Sequence, residues 1–415
     1  MVARMVSRLP HLLATSPRVA RIVLTALAVL LTLAAISYHL ADRSGRGGVF
    51  VDFHAFHVAG RLALEGHAAD AYRMVTMEAA QQRMTGTMAF MPWTYPPPFT
   101  LFVAGLAALP LGLSYALFTA LTLAAYVWIL RRIAGEYLPG VLLAMLPVMA
   151  LGVMTGQNGF LTGALTGWFC LAFLARRPGA GMPLGLMVIK PHLAAGIALL
   201  TLVERRWRAV MIAAVVVIAA LIVPTLLFGP SIWSAFADGV RESGQFLGDG
   251  RYPMFRMTSL YASALSLGLP ASAAFAVQAI GALAVIGLLL SAWMRKLPPR
   301  MLAAAACTAS LFVSPYAYDY DLSLLGIALA FILPDLLART RAGERAALLA
   351  LCWTATGYGF ALSYVRDGSA VRVDQQPLAL MAPLLLMLIA WAVVLLQRRG
   401  AAQVSAGSYA QQAIG

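Results

Sequence analysis

The chain has 415 residues, 61% of them hydrophobic and only 11% charged, with a mean hydropathy of +0.82. Soluble domains carry about a quarter charged residues, so this balance excludes a soluble globular class and predicts an all-α polytopic membrane protein. The net charge of +14 is not pooled in a patch or tail but spread in short arginine clusters between apolar runs, which argues for membrane topology and against a nucleic-acid partner.

The first apolar stretch, 19–40, follows Arg4, Arg8, Arg18 and Arg21. It is long for a signal-peptide core and shows no small-residue cleavage site, so it reads as a retained helix with residues 1–18 in the cytoplasm. Runs of about 20 apolar residues match the hydrocarbon thickness. Further spanning segments are expected at 96–111, 113–130, 139–154, 159–175, 183–203, 209–228, 271–293, 301–315, 320–336, 346–363 and 378–396, with 397–415 as a cytoplasmic tail. Arginine and alanine abound where lysine is nearly absent, a pattern that suits a GC-rich bacterial genome, and the expected location is the bacterial cytoplasmic (inner) membrane.

Two intervals, 41–95 and 229–258, are too polar and too long for turns. Both carry apolar residues at helical spacing (Phe53, Phe56, Val58, Leu62; Ile232, Trp233, Phe236, Val240), as surface-lying amphipathic helices do. Counting back from the basic C-terminal end places both outside the cytoplasm. Alternation over all twelve segments then puts Arg131-Arg132 and Arg176-Arg177 outside as well, against the charge rule. If some central segments are instead short hairpins that do not cross, Gly156-Gln157-Asn158 and Lys190-Pro191 come to the outer half, near the polar loops.

Several residues call for a reason. Lys190 stands in PLGLMVIKPHLAAGIALL, where a lysine costs about 2.5–3.5 kcal/mol to insert and faces a cavity or a partner. It either pairs with a carboxylate or meets an anion such as the phosphate of a lipid-linked substrate, and Pro191 beside it marks irregular backbone. TGQNGF (155–160) sets two amides in a turn between apolar runs, as a polar interhelical turn or part of a site. SPYAYDYDLSLLG (314–326) places Asp319 and Asp321 among tyrosines that belong to an aromatic belt, with helix capping as the plain role for either acid. In VDFHAFHVAG (51–60), His54 and His57 share a helix face, and Asp52 is either a helix cap or a general base at the membrane surface. The two histidines with Asp52 lack a further ligand at a diagnostic spacing, so no metal is expected. Cys170, Cys307 and Cys352 lie far apart in apolar runs, with neither disulfide nor metal spacing. There is no GxSxG, Walker A loop, GxGxxG after a strand or CxxC pair.

The order of these motifs resembles glycosyltransferase family 87, the polyprenol-phosphate-sugar-dependent enzymes with the GT-C membrane fold. The resemblance runs from about 50 to 330 and rests on Asp52 with Phe53-x5-Ala59-Gly60-Arg61, then Gly66 and Tyr72, and Tyr95-Pro96-Pro97-Pro98. It continues through Leu109-Pro110-Leu111, Gly156-Gln157-Asn158, Lys190-Pro191-His192, Ser259-Leu260 and Ser314-Pro315. It implies a single GT-C domain over 19–396 and inverting transfer of a sugar, mannose in the best-known members, from a polyprenyl-phosphate donor to a lipid or glycan acceptor outside the cytoplasmic membrane. It also implies that Asp52, which matches the carboxylate of the first external loop, is the general base. Substrate-binding candidates are His54, His57, Tyr95, Gln157, Asn158, Lys190, His192, Arg256, Ser259, Tyr318 and Asp319, with Lys190, Arg256 or Arg251 for the departing phosphate. Relatives place a histidine after the aspartate of the Ser-Pro segment. Tyr320 stands there in this chain, so that histidine's role does not carry over. No cofactor is expected. A transporter of a lipid-linked sugar would also use a midmembrane cation and broken helices, and a non-catalytic assembly protein would tolerate neutral residues at Asp52 and Lys190.

Overall fold

The computed structural model describes residues 13–44, 52–86, 90–365 and 376–398. The expected cytoplasmic termini lie outside these apart from 13–18 and 397–398. Among the described residues there is no strand, and one isolated bridge joins Met257 to Tyr318. Six stretches of the described residues are long and apolar enough to cross a bilayer: Pro17–Leu40, Leu111–Ala144, Trp207–Phe228, Ala271–Met294, Asp319–Arg339 and Ala342–Ser363. Shorter apolar helices pack among them. The protein is an all-α polytopic membrane protein.

In chain order, α1 (Pro17–Ser44) precedes a polar interval with α2 (Asp52–Leu64) and α3 (Met74–Thr85), then α4 (Pro97–Ala107) and α5 (Leu111–Ala134). A broken rod follows, α6 (Leu138–Ala144) and α7 (Leu146–Thr155), each opening on a proline in its first turn, where the missing N–H costs nothing. Next come α8 (Gly159–Leu174), α9 (Gly181–Leu186), α10 (Ala195–Val203), α11 (Trp207–Phe228), α12 (Ser231–Gly248) and α13 (Leu260–Ser266). The chain continues through α14 (Ala271–Met294), α15 (Pro299–Val313), α16 (Ser323–Arg339), α17 (Ala342–Val365) and α18 (Met381–Gln397).

Contacts gather the arginine clusters at one end of this bundle. Trp293 donates to Glu204 at 2.9 Å, and the Arg206 guanidinium lies 5.2 Å from the Phe173 ring. Arg300 and Arg339 share Asp335 at 2.9 Å each, and Arg398 binds Glu344 at 2.6 Å. Ile129 packs on Gly167 of α8, which carries Arg131-Arg132 toward the end where Arg176-Arg177 follow α8.

Two segments expected to cross the membrane fold back to the end of the bundle where they began. The 183–203 segment rises along α11, with Gly181 and Gly185 against Ala209, Ala213 and Val216, and reverses at Lys190-Pro191. It then descends along α15, with Gly196 against Ala306, to finish at Glu204 on the side where it began. Prolines at 183 and 191 and two 3-10 turns, Met187–Ile189 and Pro191–Ala194, replace the continuous helix that its hydropathy predicted. The 96–111 segment holds only α4, about 16 Å long, and its Phe99 and the following Leu111 both belong to one aromatic cluster at the opposite end. With these two segments turned back, every described arginine cluster falls on one side, as the charge rule requires.

Candidate active site

At the other end, the first turns of α2 are walled in on all sides: Asp52 through Gly60 are buried. Phe53 meets Tyr115 edge to face at 5.4 Å, and Phe56 meets Trp93, Tyr95 and Phe99 at 5.8, 5.5 and 5.2 Å. Such pairings add about 0.5–1.5 kcal/mol each beyond area burial. A Cβ on Gly60 would lie 2.3 Å from the Val103 carbonyl, so α2 and α4 touch backbone to backbone. The segment before α4 is tied down by Tyr72, whose hydroxyl donates to the Tyr95 carbonyl at 3.0 Å and bonds Thr100 at 2.8 Å. Trp93 donates to the same threonine at 3.0 Å. Asp52 and Tyr95 are thereby held on rigid supports.

The Gly156-Gln157-Asn158 turn reaches this cluster from below. Gly156 caps α7 in the left-handed region (φ +63°), and a Cβ there would meet Tyr115 at 2.8 Å and Phe53 at 3.0 Å, so glycine is required twice over. Gln157 Nε2 donates to Asp52 Oδ1 at 3.0 Å, and its Oε1 accepts from the Tyr95 hydroxyl at 3.0 Å and from the Asn158 N–H at 3.2 Å.

The 3-10 turn Asp319–Leu322 presents two carboxylates to two cations. Asp319 takes Arg256 through both oxygens, at 2.9 and 3.1 Å. Asp321 takes Lys190, at the apex of the re-entrant hairpin, at 2.6 Å, and also accepts the Tyr318 N–H at 3.1 Å. The Lys190 ammonium lies 4.6 Å from the Tyr320 ring and 5.8 Å from that of Tyr95. Arg256 is brought in by the bridge between Met257 and Tyr318 and by Thr258, which donates to the Ala317 carbonyl at 2.8 Å. Burial opposes the Arg256 charge, but Asp319 and Asp52 outweigh it and hold the guanidinium pKa above its ordinary value.

Two cations thus face three carboxylates, and the imbalance falls on one of them. Asp319 and Asp321 are closely paired, whereas Asp52 Oδ2 stands 3.9 Å from Arg256 Nη1, beyond direct hydrogen bonding. Asp52 is the carboxylate of the three without a closely paired cation.

The structure therefore gathers Asp52, Tyr95, Gln157, Asn158, Lys190, Arg256, Tyr318 and Asp319. His192, half-buried, follows Lys190 on the next 3-10 turn. His54 is buried against the Tyr38 ring at 4.9 Å, and His57 lies a turn further along α2. Ser259 is a fully buried helix cap that accepts the Ala262 N–H at 3.2 Å. Arg251 is exposed and pairs with Asp249 at 3.6 Å, outside the cluster. Sequence reasoning missed Gln376, whose amide accepts the Met254 N–H at 2.7 Å and donates to the Tyr252 carbonyl at 2.8 Å, pinning the Arg256 loop. It also missed Gly359, where a Cβ would stand 3.0 Å from both Asp319 Oδ2 and the Arg256 Cα. Neither has a sequence signal. Among the described residues no three His, Cys, Asp or Glu side chains converge as a metal cluster.

The model of glycosyltransferase family 87 matches residues 93–315, more than half of the chain. The chain belongs to glycosyltransferase family 87. No curated protein and no solved structure matches it. Membership makes the protein a membrane glycosyltransferase, with a sugar donor and an acceptor as substrates. The family match takes in Tyr95, Gln157, Lys190 and Arg256, and the fold adds Asp52, Asp319 and Asp321 from outside the matched range.

Proposed function

We propose that this family 87 enzyme transfers a sugar, mannose by its resemblance to relatives, from a polyprenyl-phosphate donor to a lipid or glycan acceptor, with inversion and with Asp52 as general base. The observation that carries the reading is the buried Asp52 carboxylate, steadied through Oδ1 by Gln157 and left without close ion pairing at Oδ2. In the step proposed, the acceptor hydroxyl gives its proton to Asp52 while its oxygen bonds to the anomeric carbon. The C1–O bond to phosphate breaks from the opposite face, and its electron pair stays on the phosphate oxygen. One positioned base suffices, because a phosphate leaves without protonation. Arg256, whose Nη1 faces Asp52, stabilises the developing phosphate charge, and a preorganised cation of this kind is worth about 3–4 kcal/mol in comparable sites. Lys190 and His192, on the hairpin apex beside this cluster, are the residues proposed to line the approach of the donor.

In this proposal the membrane is a bacterial inner membrane, with the arginine end in the cytoplasm, as the charge rule favours, and the acid end outside. On this reading residues 19–396 form one GT-C domain, and 41–95 and 229–258 are its outer loops. A base at the membrane surface suits a donor that is itself a membrane lipid.

Purified enzyme in micelles, given polyprenyl-phosphate-mannose labelled in the sugar and a lipid extract of the producing cells, is expected to form a new glycosidic bond of opposite anomeric configuration. Use of a nucleotide sugar instead, or retained configuration, would overturn the proposal. Label crossing sealed vesicles without a new bond would point to transport.

A further inference from the structure

We infer that Gln157 is a positioning residue for the base, locked by Tyr95, and that Oδ2 of Asp52 is the oxygen that takes the acceptor's proton. The inference deepens the proposed function and rests on the reading of Asp52 as general base.

The argument turns on which way the Gln157 amide faces. Oxygen and nitrogen of an amide are told apart by their partners. Here one partner is decisive: the Asn158 backbone N–H is a donor only, and it points at one atom of the amide at 3.2 Å. That atom is the oxygen, which also receives the Tyr95 hydroxyl at 3.0 Å. The opposite atom, 3.0 Å from Asp52 Oδ1, is therefore the NH2 group, and its other hydrogen faces Met91 Sδ at 3.6 Å. An amide with both ends satisfied, on a residue 1% exposed, has no bond to spare for a sugar. It occupies a lone pair of Oδ1 and fixes the plane of the carboxylate.

What remains for chemistry is Oδ2, on the side of Arg256 Nη1. Tyr95 is held in turn by Tyr72 through its carbonyl and by its ring against Phe56, so the chain of supports runs from the first polar loop to the base. Supports of this kind act on the turnover step: a misplacement of about 1 Å costs up to 10²-fold in rate.

The test compares pH–rate profiles of wild type, Asp52→Asn, Gln157→Glu and Tyr95→Phe in the micellar transfer assay, with thermal melts as a check on folding. Gln157→Glu sets a second carboxyl group against Asp52, and two carboxyls so close titrate as a coupled pair. The acidic limb of kcat/KM is expected to move up by about one pH unit or more. Tyr95→Phe releases the amide, and kcat is expected to fall about tenfold or more with the donor KM changed less than about twofold. Activity of Asp52→Asn equal to wild type would overturn the base reading itself. Loss in Asp52→Asn, with a Gln157→Glu profile superimposed on wild type, would overturn the positioning role alone. If Gln157→Glu does not fold, Tyr95→Phe decides: a rise in donor KM with kcat unchanged makes Tyr95 and Gln157 substrate contacts and overturns the inference.

Discussion

A lysine in the middle of PLGLMVIKPHLAAGIALL needs either an anionic ligand or an internal carboxylate, and Asp321 at 2.6 Å supplies the second. The pair is buried, with the lysine side chain 8% and the aspartate 0% exposed, so removing one partner strands the other. Breaking a buried pair from one side costs about 3–5 kcal/mol, whereas replacing both partners is often neutral. Lys190→Met is therefore expected to lower the melting temperature sharply, and adding Asp321→Asn, which keeps an acceptor for the Tyr318 N–H, to restore most of the loss. The restored double variant also separates the two roles of the cation: a donor KM raised tenfold or more would show a phosphate contact, and an unchanged KM would leave Lys190 as a counter-ion. With Asp319 and Asp321 committed to Arg256 and Lys190, no second carboxylate in the cluster is left to share a divalent ion with Asp52. EDTA is accordingly expected to leave turnover unchanged, and activity lost in EDTA and restored by a divalent ion would contradict the scheme. Both aspartates of SPYAYDYD and the intramembrane Lys190 stood out in sequence. Their pairing did not, because 131 residues separate Lys190 from Asp321.

Elements position these residues mainly through close backbone approach. Gly159, Gly163 and Gly167 stand four apart on α8, one face of the helix, and each meets a neighbour: Tyr320, Tyr126 with Ser323, and Ile129 with Ile327. In a membrane, where lipid is as apolar as leucine, small residues at this spacing let helices pack. At Gly159 the approach is tightest, with a Cβ site 2.1 Å from the Tyr320 carbonyl and Ser323 Oγ donating to the Gly159 carbonyl at 2.6 Å. Gly159→Ala must displace the turn that carries Asp319 and Asp321. An activity loss of tenfold or more is expected, with a melting temperature several degrees lower. Gly179→Ala, with open space around it, is the control expected to change neither. The stripe is readable in GFLTGALTGW. Helices α2 and α12 were legible from the spacing of their apolar residues, but α2 is buried within the protein where a surface-lying amphipathic helix was expected, and the break between α6 and α7 was visible only in Pro147.

For the whole molecule, hydropathy identified nearly every apolar helix and could not say which of them cross. A re-entrant hairpin and a spanning helix bury the same kind of residue, and only their packing partners differ. The conflict at Arg131-Arg132 and Arg176-Arg177 left two options in sequence, exceptions to the charge rule or central segments that turn back, and the folding back of 96–111 and 183–203 within the bundle favours the second. The topology has a direct check. In intact cells, a membrane-impermeant maleimide is expected to label Glu65→Cys, exposed in the loop after α2, and to spare Gly179→Cys, exposed beside Arg176-Arg177, until the membrane is opened. The native cysteines are buried and stay silent. Labelling of Gly179→Cys from outside would restore simple alternation and place the arginine clusters on both sides. The site itself is assembled from the first polar loop, two turns, a hairpin apex and the Arg256 loop, so no stretch of sequence displays it. Its central claim is that the buried Asp52 carboxylate removes the acceptor's proton. The most direct measurement is sugar transfer from labelled polyprenyl-phosphate-mannose by wild type and by Asp52→Asn, which keeps size and an acceptor for Gln157. Transfer by wild type with a loss of at least about 10² in the variant is predicted, and equal transfer by both would contradict the account.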